Sequence, residues 1–275
     1  MVRQRRTPSG GTAVALCAAG LMALSACAGD GAAVDSRPPR DPAEAVHRAA
    51  AALTEAGSSR ATTSMEMATG GTRVTIRGEG VYDFRRALGQ LRVLLPRDPA
   101  GERRHRPLTE LLSPGALYMK NRGAGVPADK WVRIETASLS DGNLVTGGAT
   151  DPLTAARILR GARGVVFAGS GDLAGVPVRR YRGVADLRRA ARTLPAGERG
   201  PLLAAVKGFG SSRVPFEVYL DEQGRVRKLR HRFVYDAGRA EPVAVASTLL
   251  LYGFGAPAEV RLPAAADIYA GKIAE

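Results

Sequence analysis

The chain has 275 residues and a formal net charge of +14, with 45% hydrophobic, 24% charged and 5% aromatic residues. That hydrophobic share is enough for a core, the low aromatic share makes the core aliphatic, and the length allows one large domain or two small ones. There are two cysteines, and one lies inside an N-terminal apolar run, so whatever folds behind that run has no internal disulfide.

The chain opens with Arg3, Arg5 and Arg6, followed by the apolar run TAVALCAAGLMAL over residues 12–24. This is the length of a secretory leader's hydrophobic region. It falls short of the roughly 18 apolar residues of a spanning helix. Leu24, Ser25, Ala26 and Cys27 resemble the bacterial lipobox, in which Leu and two small residues precede Cys. The resemblance implies that residues 1–26 are a signal peptide and that the Cys27 thiol receives a diacylglycerol. Two acyl chains bury about 30 methylenes at about 0.8 kcal/mol each, which makes release from the bilayer negligible. Residues 28–40 (AGDGAAVDSRPPR) are small and polar, without an apolar period. Residues 27–40 therefore read as the lipidated Cys and a flexible tether with a reach of about 20 Å. Residues 41–275 read as a single lipoprotein domain, held by lipid at the outer, extracytoplasmic face of the cell membrane.

With the leader's three arginines set aside, the exported part carries +11. A basic surface suits phospholipid headgroups, phosphoglycolipids or wall polyanions. A genome biased toward Arg and Ala codons explains the charge equally well, since Lys120, Lys130, Lys207, Lys228 and Lys272 are the only lysines. Nucleic acid is not expected as a partner, because no binding motif is present.

Asp41 as N-cap, Pro42 in the first turn, Glu44 at N3 and a stop at Gly57 predict a helix over residues 41–57 with Val46, Ala49, Ala50 and Leu53 inward. Period-2 alternation then predicts strands. Met65 and Met67 share a face, as do Val74 and Ile76, then Leu91, Val93 and Leu95, then Leu117 and Met119, then Val132 and Ile134. Asp151-Pro152 predicts a second helix to residue 162. Strands follow at 165–167 and 178–184, with the Gly-rich stretch 169–172 read as the turn between them. Two short helices broken at residue 195 come next. Strands at 216–220, 225–235 and 243–252 close the chain, the first two joined by an Asp221–Gly224 turn. The order is α+β: a large curved antiparallel sheet, a half-open β-barrel, wrapped over a few helices.

Several stretches resemble the actinobacterial cell-envelope lipoproteins of the LppX/LprG kind. They are GVPVRRYRGVADL at 175–187, PFEVYLDEQGRVRKL at 215–229 and LYGFGAPAEVRLPAAADI at 251–268, with ELLSPGALYMK and DKWVRIE as paired central strands. The resemblance implies a half-open barrel over helices, similar to the LolA-like carriers that shuttle lipoproteins between membranes. It also implies a hydrophobic cavity for a lipid or acylated glycolipid. The lining expected from the alternation is Met65, Val74, Ile76, Leu91, Val93, Leu117, Met119, Val132, Ile134, Val218 and Leu220. Arginines at the mouth would hold an anionic head. The basic segment 98–106 departs from the family pattern and reads as a solvated loop.

His47, His105 and His231 lack metal-ligand spacing, and Gly169-Ser170-Gly171 lacks nucleophile-elbow spacing. No catalytic residue, metal or cofactor is expected, and the chain is not expected to be an enzyme. The alternative to a lipid carrier or chaperone is a surface adaptor that binds another protein through its basic face. An exposed contiguous apolar patch over a solid interior would favour it. The residues leave the oligomeric state and the transport direction open.

Overall fold

The computed structural model describes residues 41–96, 106–121, 125–235 and 242–271. The leader, Cys27 and the tether, His105 and most of the 98–106 loop lie outside the described residues. Helix α1 (Pro42–Ala56) starts as its cap residue dictates, with the Asp41 carboxylate accepting from the Ala43 and Glu44 amides. Glu44 pairs with Arg48 one turn on. Gly57 ends the helix at φ 83°, a conformation that costs other residues strain.

The sheet is built as two meanders. Strands β1 (Ser58–Thr69), β2 (Thr72–Asp83), β3 (Leu88–Leu94), β4 (Leu108–Ser113), β5 (Ala116–Lys120) and β6 (Val132–Glu135) run outward to one edge. The chain then passes under the sheet through α2 (Pro152–Ile158) to the opposite edge. From there β7 (Ala162–Leu173), β8 (Val176–Asp186), β9 (Arg213–Leu220), β10 (Val226–Tyr235) and β11 (Val243–Tyr252) run back inward, and β11 pairs with β1. Every ladder pair is antiparallel. The order β6-β5-β4-β3-β2-β1-β11-β10-β9-β8-β7 leaves β6 and β7 as separate edges, so the barrel is half open. Helices α3 (Leu187–Arg192) and α4 (Gly200–Gly208) interrupt the second meander between β8 and β9.

Three sequence expectations are corrected. The stretch 169–172 is not a turn: it lies within β7, where two register shifts absorb its flexibility, and the chain reverses at Ala174–Gly175 with both φ positive. Leu95 falls beyond the end of β3 and is 36% exposed. The ELLSPGALYMK and DKWVRIE segments form β4–β6, at an edge of the sheet rather than its centre.

The two faces of the sheet differ. The concave side carries the buried side chains of a core shared with α1, α2, α3 and α4. On the convex side a second, smaller cluster forms where Val260 and Ile268 of the C-terminal segment cover Leu88, Leu111 and Tyr118 near the β6 edge. Trp131 holds that segment by backbone bonds to Asp267 and Tyr269. Among the described residues nothing covers the convex side of the remaining strands, and the ladder registers set its residues in rows. One row reads Leu94, Arg77, Ser64, Thr248, Arg230, Glu217, Arg182; the next reads Arg92, Glu79, Thr62, Leu250, Lys228, Tyr219, Arg180.

Candidate ligand site under the sheet

The concave face is closed by a loop as well as by helices. Between the 3-10 turn at Thr136–Ser138 and α2, residues 141–150 are all buried except Thr146, which is half-buried. A loop this deep must satisfy its own backbone, and Asp141 does much of that work. The fully buried carboxylate accepts from the Val145 amide at 2.6 Å, the Thr146 amide at 2.5 Å, the Asn143 amide at 3.1 Å and the Thr146 hydroxyl at 2.9 Å. Asn143 Oδ1 accepts from the Gly147 amide, and Thr150 donates to the Leu144 carbonyl. The result is a self-contained plug. It presents Leu144, Val145 and Ala149 to the core.

Glycines let the plug approach closely on two sides. A Cβ on Gly142 would lie 1.9 Å from the Pro201 carbonyl oxygen, and one on Gly208 would lie 2.0 Å from the Ser140 carbonyl oxygen, so the plug rests on α4 backbone to backbone. At its far end Gly148 sits against Ile76 and Val93. Thr150 Oγ1 and Ser247 Oγ, 2.8 Å apart, tie the plug to β11. Gly208→Ala should therefore cost about 2 kcal/mol, since neither backbone can yield without lifting the plug. A lower urea midpoint at unchanged slope would register it.

The expected lining residues fall on this face. Met65, Leu91, Val93, Leu117, Met119, Val132, Val218 and Leu220 are buried at 3% exposure or less, and Ile76 at 9%. Val74 and Ile134 are partly buried and pack against the same core. The plug covers Ile76 and Val93 directly, so these two face protein rather than open space. The sequence reading did not anticipate the plug. The signal was present in the small, turn-forming run DGNLVTGGAT at 141–150, which has neither a helical nor a strand period.

Two cavities adjoin the core. One, of about 390 Å³, lies where the ends of β2 and of the β4–β5 hairpin approach α4. Tyr82, Phe84, Leu112, Leu194 and Leu202 supply apolar surface, while Arg85, Arg86 and Arg157 supply positive charge at its walls. The other, of about 520 Å³, lies between α1 and the β9–β10 turn. It is lined largely by polar groups, with Leu220 the one expected lining residue it shares. The smaller cavity suits an amphiphile better, because ligand sites combine apolar walls with a few convergent polar groups. Its volume is at the lower end of the usual range.

Polar chemistry at the smaller cavity is ordered. Tyr82 donates to Asp151 Oδ2 at 2.6 Å, and the other carboxylate oxygen caps α2 through the Thr154 amide. Burial, then the charge of Asp151, holds the Tyr82 phenol well above its ordinary range, so it remains a donor. Arg157 pairs with Glu198 at 2.7 Å. Tyr82→Phe should cost about 1.5 kcal/mol, the price of one hydrogen bond to a charged acceptor, read as a drop in denaturation midpoint.

Deeper on the concave side, Ser59 Oγ, Thr63 Oγ1 and His231 Nε2 are buried without a hydrogen-bond partner. His231 lies opposite Ser247 on β11 and Phe216 on β9, and burial lowers its pKa to about 3. His47 is placed differently: on α1, its Nε2 is bonded to the Ala162 carbonyl at the start of β7. Among the described residues, no group of three or more His, Cys, Asp and Glu side chains is arranged to hold a metal ion. No helix among them is long and apolar enough to cross a membrane.

No protein-family model matches this chain, and no curated protein matches it. Similar solved structures include the lipoprotein LppX of Mycobacterium tuberculosis, at 11% identity, 80% of this chain, 98% of that one and a TM-score of 0.47. LprF of Mycobacterium bovis is 12% identical, with 82% and 99% coverage and a TM-score of 0.41. A LolA superfamily protein from Nitrosomonas europaea is 8% identical, with 76% and 92% coverage and a TM-score of 0.34. The fold itself rests on the strand order and registers given above.

Proposed function

We propose that this protein is an exported lipoprotein, anchored by a diacylglycerol on Cys27, that carries a lipid or acylated glycolipid beneath its sheet. In this reading residues 1–26 are removed, 27–40 form the tether and 41–275 the carrier domain at the outer face of the membrane. The observation that carries the reading is the cavity of about 390 Å³ beside the plug. An apolar concave face of a half-open sheet is covered by an internally bonded loop, beside a cavity with aromatic and aliphatic walls and arginines at its edge. The plug occupies the place an acyl chain would take. An entering chain would displace Leu144, Val145 and Ala149 and gain contact with Ile76 and Val93, at about 25 cal/mol per Å² of apolar surface buried. Ser59, Thr63 and His231 offer unpartnered polar atoms to the ligand's ester or hydroxyl groups. Arg85 and Arg86 would take an anionic head.

The adaptor reading has less support. Among the described residues the large exposed hydrophobic side chains are Leu94, Leu95, Val166, Leu203, Val234, Tyr252 and Leu262, spread over several elements and the C-terminal segment.

A reversible lock tests the carrier reading. Thr150→Cys with Ser247→Cys, in a full chain whose Cys17 and Cys27 are serine, places two sulfurs where hydroxyls lie 2.8 Å apart. The reduced protein is expected to co-purify with lipid in native mass spectrometry and to take up a fluorescent fatty acid. The oxidised protein is expected to lose both and regain them with dithiothreitol. Equal uptake in both redox states, or no lipid in either, overturns the reading.

A further inference from the structure

We propose that the bare convex face of the sheet docks flat against an anionic phospholipid bilayer. The inference is independent of the carrier reading, because it concerns the opposite side of the sheet.

The argument begins with alternation. Inward positions of β1–β3 and β8–β11 are mostly apolar, so charge goes to the outward positions, and there cations outnumber carboxylates. The carboxylates that the registers place on this face are Glu66, Glu79, Asp83, Asp186 and Glu217. Glu66 is already matched by Arg230 at 3.7 Å, and Glu217 by Arg182. Arg60, Arg73, Arg77, Arg92 and Arg232 are exposed and make no ion pair among the described residues. The acids left to offset them are Glu79, opposite Arg92, and, at the strand ends, Asp83 and Asp186, which accept from backbone amides of the following turn and helix.

The arrangement of these cations selects the partner. They form two banks. Arg73, Arg77 and Arg92 stand on β2 and β3, while Arg230 and Arg232 stand on β10. The strands β1 and β11 lie between and present Ser64, Thr248, Ala246 and Ala68. From β2 to β10 is three strand spacings, about 14 Å. The face has no concave groove of the kind that tracks a nucleic-acid or polysaccharide backbone. It is a broad field whose two central strands carry only Arg60 and the paired Glu66 as charges, which suits a partner that is itself a broad field of negative charge. Apolar and aromatic side chains are set among the cations. Leu94 ends the row of Arg77, Val234 follows Arg232 on β10, and Tyr252 lies beside Arg60; they are 43%, 50% and 43% exposed. Aliphatic groups and a tyrosine at that level match the headgroup boundary, where basic faces combine charge with shallow apolar burial.

Co-sedimentation of the full chain with vesicles tests this. Phosphatidylcholine vesicles are compared with vesicles that also contain phosphatidylglycerol, at low and high salt. Any apolar attachment through the N-terminal region is common to both and drops out of the comparison. The expected result is tighter binding to the anionic vesicles, with the difference vanishing at high salt. Changing Arg60, Arg73, Arg77, Arg92 and Arg232 together to Gln should reduce that difference about tenfold or more. The same five changed to Lys should keep it, because a bilayer reads charge, whereas a protein carboxylate array reads the guanidinium fork. Changing Arg48, Arg188 and Arg192, all exposed on the helices, to Gln should also keep it. Far-UV spectra and melting curves confirm that each variant is folded, and the Lys variant keeps the test open if the Gln variant is not. The proposal is overturned by equal binding to both kinds of vesicle, or by an equal loss in the second set of arginines. It also fails if the Gln variant loses binding to soluble heparin while keeping its binding to vesicles.

Discussion

Replacing Asp141 by alanine is expected to destabilise the protein by about 4 kcal/mol and to free the plug. The carboxylate is fully buried and accepts from three amides and a hydroxyl, at distances between 2.5 and 3.1 Å. Alanine leaves those donors without acceptors in a place water does not reach. Hydrogen bonds to a charged group are each worth about 1.5–3 kcal/mol, and the orphaned donors add their own desolvation cost. The contributions are not additive, so the sum is discounted to about 4 kcal/mol. Asp141→Asn separates the causes. Its amide oxygen still accepts, but its NH2 faces donors, so an intermediate loss is expected. Leu144→Ala removes a fully buried plug side chain and none of its hydrogen bonds, and should cost about 3 kcal/mol. The functional consequence runs the other way. A plug that no longer holds itself together exposes Ile76 and Val93, so binding of an apolar dye should rise in Asp141→Ala relative to Leu144→Ala. If Asp141→Ala melts with the wild type, or binds no more dye than Leu144→Ala, the carboxylate does not organise the plug.

Much of the sheet was legible because its residues obey a period of two. Met65 and Met67, or Val218 and Leu220, can face inward only if the strand is extended, and the structure places them on the concave side. The helices were legible from their caps: Asp41 and Asp151 both accept from amides in the first turn. What was not legible is where alternation is broken or absent. In β7 two register shifts let Gly169 and Gly171 stay inside a strand, and their flexibility was read as a turn. Tyr118 falls on the outward side by the alternation of Leu117 and Met119 but is 9% exposed, because the C-terminal segment folds over it; that contact lies far away in sequence. The plug has no period, and its burial depends on the amides of its own loop donating to Asp141, so neither composition nor periodicity could place it. The arginines at the cavity were expected as a class but not by position, since Arg85 and Arg86 lie in a turn while Arg157 sits on a helix.

His231 sets the second large effect, a loss of stability in acid that its replacement should abolish. Burial alone brings its pKa from 6.5 to about 3. Its cross-strand neighbours Ser247 and Phe216 and the nearby Phe233 ring supply no opposite charge. Because the folded pKa lies below the unfolded one, the unfolded chain takes up a proton at a pH where the folded chain does not. Stability from this residue is therefore complete above about pH 6.5 and falls as pH drops toward 3, by roughly 1.4 kcal/mol per unit. The loss reaches about 3 kcal/mol at pH 4 and about 4 kcal/mol by pH 3, where the folded histidine begins to take up its own proton. His231→Leu keeps the site apolar and removes the proton acceptor. Urea titrations of both proteins at pH 7 and pH 4 isolate the effect from the carboxylates, which the two share. The stability gap should move by about 3 kcal/mol in favour of the leucine variant on acidification, and parallel curves would rule the assignment out. Any charge formed at His231 must be hydrated, and Ser247 opposite it holds the Thr150 end of the plug. Apolar-dye uptake by the wild type should thus rise over the same pH window in which stability falls, and should stay flat in the leucine variant.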